Sequence, residues 1–306
     1  MTKLRYHLLD VFTDRAFGGN QLAVFTKAVG VASATMQAIA RELNLSETTF
    51  VLAPEDLSAD YRVRIFTPMI ELPMAGHPTV GTTFVLAKDH LARRSEQVTT
   101  LRLEEGVGTI PVKIDWEDGH PAFIEMSQPL PTFGSRLTDV CAIAEMLSLE
   151  PETIAATNLP MEVVSCGVPF LFVPLRDLPA AHQIKFRLDV WERVLQDFEA
   201  RNVFVFTTET EVEGSRVHSR MFAPASGIGE DPATGAASGP LGCYLVRHSV
   251  LPPAREVEFV SEQGLEMGRP SFIKVRIEQN EEGQISGVHV GGQCHFMGEG
   301  FLEIDE

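Results

Sequence analysis

Cysteine is scarce in this chain and never paired. Four thiols, Cys141, Cys166, Cys243 and Cys294, are scattered over 306 residues with no C-x-x-C. That spacing excludes a zinc-finger frame or a disulfide scaffold and reads as reduced, mostly buried thiols of a cytoplasmic protein. Long apolar runs are missing too: no stretch of 18 uncharged apolar residues exists, so no membrane-spanning helix is expected. The amino-terminal MTKLRYHLLDVF carries Asp10 inside its apolar stretch and lacks a small-residue cleavage site, so it does not read as a secretion signal. Positive charge is in deficit, 25 Lys and Arg against 42 Asp and Glu, for a net charge of −17. Nucleic acid is therefore not an expected partner, and a small anionic ligand must be captured by local donors against the global field. No G-x-S-x-G elbow, P-loop or H-E-x-x-H is present. His295 beside Cys294 lacks partners at metal-ligand spacing, and His7, His90, His218 and His248 carry no special reading. No metal site is read.

What is present is an ordinary soluble composition, 44% apolar and 22% charged, at a length that suggests two domains. Strand patterns fall at 6–12, 48–53, 61–66, 109–114, 170–175, 202–206 and 271–277. Helical periodicity appears at 33–43, behind Ser33 as the expected cap, and at 188–199. The class is mixed α/β with a strong β component.

An internal echo says more. Arg64-Ile65-Phe66-Thr67-Pro68 and Arg220-Met221-Phe222-Ala223-Pro224 both read R-x-F-x-P, 156 residues apart. The same offset lays TFVLA (49–53) over VFTTE (205–209), and GGNQLAVF (18–25) resembles CGVPFLFV (166–173) at a different spacing. Three echoes in one order imply two similar halves, each a sheet with a central helix. Proline-rich residues 115–135 look like the crossing between halves, and the carboxyl-terminal segment is expected to return to the first.

After each R-x-F-x-P comes a glycine-bearing helix entrance, ELPMAGHPTVG (71–81) and GEDPATGAASG (229–239). Proline suits the first helical position, and the residue before it suits an N-cap, so His77-Pro78 and Asp231-Pro232 both read as cap plus first helical residue. Gly76 and Gly235 let the backbone N–H groups stand unshielded, and two such helix starts could hold a carboxylate without Lys or Arg. On the residues alone, Asp231 is also a good structural cap and His77 a structural histidine. In LNLSETTF (43–50), Glu47 at a strand start is either a desolvated acid/base group or an exposed loop carboxylate.

Taken together, GGNQLAVF, LSETTFV, FTP…ELPMAGHPT, GEDPATGAASG and MGRPSFIKV resemble the PhzF family of phenazine-biosynthesis-like proteins, in order and over almost the whole chain. The resemblance implies an α/β (α+β) diaminopimelate-epimerase-like fold: two pseudo-symmetric halves, each wrapping a sheet around a central helix. The expected division is 1–118 plus 286–306 for the first half and 119–285 for the second, with the active-site cleft between them. It also implies an isomerase that uses no cofactor and no metal. Such an enzyme moves a proton from C3 of trans-2,3-dihydro-3-hydroxyanthranilate to a ring carbon further along the diene. By resemblance, Glu47 is the catalytic base and then acid, with His77 and Asp231 as the other catalytic positions. Asn20, Gly76, Gly235 and Ala236 would contact the substrate, a small anionic carboxylate, and the protein would be a homodimer.

Related racemases and epimerases use two opposed cysteines, and the matching positions here are Ala75 and Thr234, so two-thiol chemistry is not expected. Phenazine-pathway members carry a serine where this chain has Ala236, which removes one hydroxyl contact. Two rival readings stay open. One is a small-carboxylate binding protein without turnover; the other is a single-centre epimerase using Glu47 with a non-thiol partner.

Overall fold

The computed structural model describes residues 2–89, 98–252 and 254–305; His90 lies outside the described residues. In chain order the elements are β1 (Thr2–Val11), β2 (Asn20–Phe25), α1 (Ser33–Leu43), β3 (Glu47–Leu52), β4 (Tyr61–Phe66), β5 (Glu71–Leu72), α2 (Gly76–Lys88), β6 (Val98–Glu105), β7 (Gly108–Glu117) and β8 (His120–Ser127). There follow β9 (Thr132–Leu137), α3 (Val140–Leu147), α4 (Glu152–Ala155), β10 (Met161–Ser165), β11 (Pro169–Pro174), α5 (Leu178–Gln183), α6 (Leu188–Leu195), β12 (Asn202–Thr207) and β13 (Val217–Ala223). The chain closes with β14 (Ile228–Asp231), α7 (Gly235–Arg247), β15 (Glu256–Gln263), β16 (Ser271–Gln279), β17 (Ile285–Gly292) and β18 (Cys294–Ile304). Contacts divide it into two compact units, Met1–Ser127 with Val290–Glu306, and Gln128–His289.

In the first unit the sheet order is β18–β1–β2–β3–β4–β6–β7–β8, with β2–β3 and β4–β6 parallel and the other pairs antiparallel. Alternation along a strand sends successive side chains to opposite faces, and here both faces are covered. From β2, Ala23 and Phe25 join Phe50, Phe66 and the Met36, Ile39 and Ala40 stripe of α1 in one apolar cluster. Leu22, out of phase by one, meets Gly81 of α2 instead. Helix α2 is buried on every side from Gly76 to Ala87, as a helix without a polar face must be. Its threonines are satisfied locally: Thr83 Oγ1 donates to the Thr79 carbonyl at 2.8 Å, and the Thr82 and Thr49 hydroxyls share a 2.8 Å bond.

The second unit repeats the plan. β10–β11 is antiparallel, β11–β12 parallel, β12–β13 antiparallel, β13–β15 parallel and β15–β16 antiparallel. The series matches β1–β2, β2–β3, β3–β4, β4–β6 and β6–β7. Helix α7 takes the buried place, enclosed from Gly235 to Leu245. On the outer face, α3, α5 and α6 pack Ile143, Leu147, Ala181, Trp191 and Leu195 against Leu171, Val173, Val203 and Val205. The duplication read from the sequence is thus present in the strand pairing of each unit.

The R-x-F-x-P echo has a structural cause. Arg64 on β4 forks the carboxylate of Glu71 on β5, at 2.7 and 2.6 Å. Arg220 on β13 forks Glu230 on β14, at 2.7 and 2.8 Å. Each guanidinium also lies over the ring two residues on, Phe66 at 5.0 Å and Phe222 at 5.3 Å. A bidentate pair fixes orientation as well as distance, so each Arg anchors the short strand that leads into the buried helix.

Ser33 is not the cap of α1. Ala32 holds the N-cap position without a side-chain bond, and the Ser33 hydroxyl accepts from Arg64 Nη1 at 2.8 Å.

Phe50 is fully buried, stacked on Phe25 at 4.9 Å and edge-on to Phe66 at 5.6 Å between ring centroids. Phe50→Ala is expected to cost roughly 3–5 kcal/mol of stability by transfer and cavity terms, measured as a lowered urea midpoint.

Candidate active site

The first entrance begins earlier than the sequence suggests. Ala75, extended at φ −150° and ψ 156°, is the N-cap of α2, and Gly76, His77 and Pro78 form its first turn. His77 is therefore a first-turn residue and not the cap. Proline fits there equally well, because the first-turn N–H groups have no intrahelical acceptor.

His77 is buried, at 3% exposure, and lies between two partners. Its Nδ1 accepts from Asn20 Nδ2 at 3.1 Å, and its Nε2 lies 3.3 Å from Glu47 Oε2. Because the amide nitrogen donates to Nδ1, the ring proton is assigned to Nε2, facing the carboxylate. Burial pushes the His77 pKa down to about 3, opposed by a backbone hydrogen bond at Gln21, so the ring is neutral near neutral pH.

Glu47 opens β3, in parallel register with Leu22, and is 7% exposed. It is not a loop carboxylate in water. Asn20 opens β2 directly after Gly19, whose φ is +61° and where a Cβ would run into the Val11 carbonyl. Only glycine fits that turn without strain, which is why the amide side chain follows a glycine. Asn20, Glu47 and the adjacent pair Gly76-His77, from three separate stretches of sequence, are brought together at one helix start.

Sequence reasoning missed Glu105. It ends β6 and is 6% exposed. Its Oε1 lies 2.5 Å from Thr79 Oγ1, and the same hydroxyl donates to the Ala75 carbonyl at 2.6 Å. Burial raises the Glu105 pKa to about 8, with the Thr79 bond opposing. The Thr79 hydroxyl thus stands between the Glu105 carboxyl and the N-cap carbonyl of α2. The signal was in the strand alternation: VTTLRLEE puts Thr99, Leu101, Leu103 and Glu105 on one face, and that face is buried.

In the second unit, Asp231 ends β14, while Thr234 is the N-cap of α7. Asp231 is not the helix cap, because Pro232 and Ala233 separate it from the first turn. The 3%-exposed carboxylate instead accepts from Thr234 Oγ1 at 2.5 Å. Gln263, also missed, spans the turn. Its Nε2 donates to the Asp231 carbonyl at 2.7 Å and to Thr234 Oγ1 at 2.9 Å, and its Oε1 accepts from Thr234 N at 3.1 Å. Gly235 and Ala236 are buried in the first turn, and the Gly235 carbonyl accepts from Gln128 Nε2 at 3.0 Å. Pro240 inside α7 has no N–H for the Ala236 carbonyl.

Ala75 and Thr234, the positions expected from the sequence to match the cysteines of two-thiol enzymes, are the N-caps of the two buried helices. One offers a methyl group and the other a hydroxyl already bonded. Cys166 is buried, and its hydrogen bond with Cys243, together with burial, pushes its thiol well above the ordinary range. Burial does the same to Cys294.

A buried carboxylate beside a neutral imidazole thus stands at one helix start of a duplicated sheet-and-helix fold of the epimerase-like kind. The fold superposes on a hydroxyproline epimerase from Agrobacterium vitis with a TM-score of 0.68 at 12% identity, over 99% of this chain and 91% of that one. At that identity the likeness is one of fold. A family model described as "Phenazine biosynthesis-like protein" matches residues 9–300. A trans-2,3-dihydro-3-hydroxyanthranilate isomerase from Pseudomonas aeruginosa is 38% identical over 301 residues, 97% of this chain and 98% of its own. A PhzF-family phenazine biosynthesis protein from Bacillus anthracis superposes with a TM-score of 0.88 at 28% identity, over 99% of this chain and 100% of that one. The chain belongs to the PhzF family and is an isomerase.

Glu105 yields a pH test. Its folded pKa of about 8 stands above the ordinary 4.5. The stability it contributes is fully present below the lower value and is lost as pH rises through the upper one. Glu105→Gln keeps a donor for Thr79 and removes the proton equilibrium. The variant is expected to outlast wild type in urea above pH 8, by on the order of a few kcal/mol, with the difference vanishing at acid pH. Parallel pH profiles of the two proteins would contradict it.

Proposed function

We propose that this chain is a cofactor-independent isomerase that moves a proton along a small unsaturated carboxylate of the trans-2,3-dihydro-3-hydroxyanthranilate class. Glu47 acts as base and then as acid. The observation that carries the reading is the buried row Asn20–His77–Glu47, with the imidazole neutral and its Nε2 3.3 Å from the carboxylate.

A proton shift within one molecule needs a group that takes the proton from carbon and returns it elsewhere. A single carboxylate can do both, provided it is held within reach of both carbons. The neutral His77 can donate from Nε2 to Glu47 or to substrate without adding a fixed charge. Asp231, anchored by Thr234, is assigned to holding or relaying a proton on the substrate. The first-turn N–H groups beside Gly76 and Gly235, with the Asn20 amide, are the donors proposed for the substrate's carboxylate and polar groups. Ala236 supplies no hydroxyl, so the preferred substrate is expected to differ from that of the named relative in the group that faces this residue. The active protein is proposed to be a homodimer in the cytoplasm.

A single-centre epimerase is the reading against which this one is tested, since the fold also carries epimerases. In D2O, wild type acting on trans-2,3-dihydro-3-hydroxyanthranilate is expected to erase the C3 proton signal as new olefinic signals rise. Glu47→Gln is expected to slow this by about 10²–10⁴-fold while leaving substrate affinity nearly unchanged. Deuterium exchange with inversion at one centre and no double-bond migration would favour the epimerase. Saturable binding with an unchanged spectrum would reject this compound as the substrate that is turned over.

A further inference from the structure

Outside the site described above, the second unit gathers two histidines and two glutamates from four separate segments. His182 comes from α5, Glu211 from the loop after β12, His218 from β13 and Glu266 from the loop after β15. His182 Nε2 lies 2.7 Å from Glu211 Oε1, and His218 Nε2 lies 2.9 Å from Glu266 Oε1. Glu266 Oε1 is also 4.0 Å from His182 Nε2. One ligand atom each from His182, Glu211 and His218 falls within 4.8 Å of the others.

We propose that His182, Glu211, His218 and Glu266 bind one divalent transition-metal ion of the zinc class, which ties α5 and two loops to the sheet. Donor atoms around a tetrahedral zinc stand about 3.3 Å apart, and the separations of 2.7, 2.9 and 4.0 Å bracket that spacing. Two imidazole nitrogens with two carboxylates form a ligand set for such an ion; magnesium and calcium prefer all-oxygen shells. His182, Glu211 and His218 form the compact three-ligand set, and Glu266, 2.9 and 4.0 Å from its two histidines, would close the shell, making the ion structural.

Three further observations separate this group from a surface charge network. First, His218 is fully buried, and its Nδ1 is bonded to Glu262 Oε1 at 2.9 Å, which leaves Nε2 aimed at the other donors. A carboxylate holding the far nitrogen is how ligating histidines are oriented. Parallel pairing of β13 with β15 sets His218 beside Glu262 in register. Second, the same Glu262 accepts from the backbone N–H groups of Glu211 and Val212 at 2.6 and 3.0 Å. One buried carboxylate thus holds two of the four ligands in place. Third, Glu266 Oε2 is buried and accepts no hydrogen bond among the described residues. The nearby cation is mostly engaged elsewhere: Arg220 forks Glu230, donates from Nη1 to the Ala181 carbonyl at 2.7 Å, and comes only within 4.0 Å of Glu266 Oε1. With Arg220 forked by Glu230 and reaching Glu266 only at 4.0 Å, the carboxylates Glu211, Glu262 and Glu266 face two imidazoles, a cluster rich in negative charge that a divalent ion would balance.

The test is a calorimetric titration of ZnCl2 into chelator-treated full-length protein, with CoCl2 followed by its visible absorption. Wild type is expected to take up one zinc per chain and to give the intense visible bands of tetrahedral cobalt. His182→Ala and Glu211→Ala change exposed side chains (42% and 38%), so the fold should persist. Each is expected to weaken zinc by more than about tenfold and to abolish the cobalt bands, and Glu262→Gln to weaken zinc about 10–100-fold. Zinc should also raise the melting temperature of wild type and not that of His182→Ala. No zinc uptake by wild type would overturn the proposal, as would uptake that His182→Ala leaves unchanged.

Discussion

A helix enclosed on every side has to find partners for its first turn inside the protein, since water is not there to supply them. Helices α2 and α7 are both in that position, and much of the polar interior follows from it. At α2, Glu105 and Thr79 hold the Ala75 carbonyl, and Asn20 and Glu47 flank His77. At α7, Gln263 and Asp231 hold Thr234, and Gln128 holds the Gly235 carbonyl. Buried polar groups are stable only when their bonds are made. The requirement that makes the core feasible therefore also fixes buried polar side chains in set orientations.

The duplication is kept in the scaffold and broken in the chemistry. Both units use the Arg–Glu fork to anchor the strand before the buried helix, and both start that helix on a glycine. The residue after that glycine is His77 in one and Ala236 in the other. The offset of 156 that aligns the echoes sets Val203 against Glu47. A two-thiol racemase needs matching groups at both entrances. A single carboxylate that takes and returns the same proton does not, and the asymmetry of these entrances suits the second arrangement.

Much of this was legible in the sequence because it is written locally. The R-x-F-x-P repeat, the strand patterns and α1 need only short windows, and 33–43 matches the observed helix residue for residue. Cap assignments failed for a physical reason: Ser33 is taken by Arg64 and Asp231 by Thr234, partners distant or out of helical phase that no cap rule weighs. Glu47 was ambiguous because its burial depends on parallel pairing with β2. Glu105 could have been read from the alternation of β6. Gln263 could not, since its role comes from a turn some thirty residues earlier in the chain. The histidine–glutamate cluster was invisible for the same reason, as its ligands share no spacing.

The electrostatics of the first entrance bear on why a histidine stands there at all. A carboxylate that must accept a proton from carbon is weakened as a base by a fixed cation in contact with it. The chain carries few cations, and Arg64 and Arg220 are matched by glutamates. His77, held neutral by burial, gives Glu47 a polar neighbour 3.3 Å away without that charge. Asn20 completes the arrangement by accepting no proton at any ordinary pH. It can hold the Nε2–H tautomer while the charge on its neighbours changes. A lysine or arginine in place of His77 would bind an anion more strongly and lower the basicity of Glu47. The binding proposed above, by neutral donors and helix N–H groups, would avoid that conflict, an arrangement open to an acidic protein with an acidic ligand.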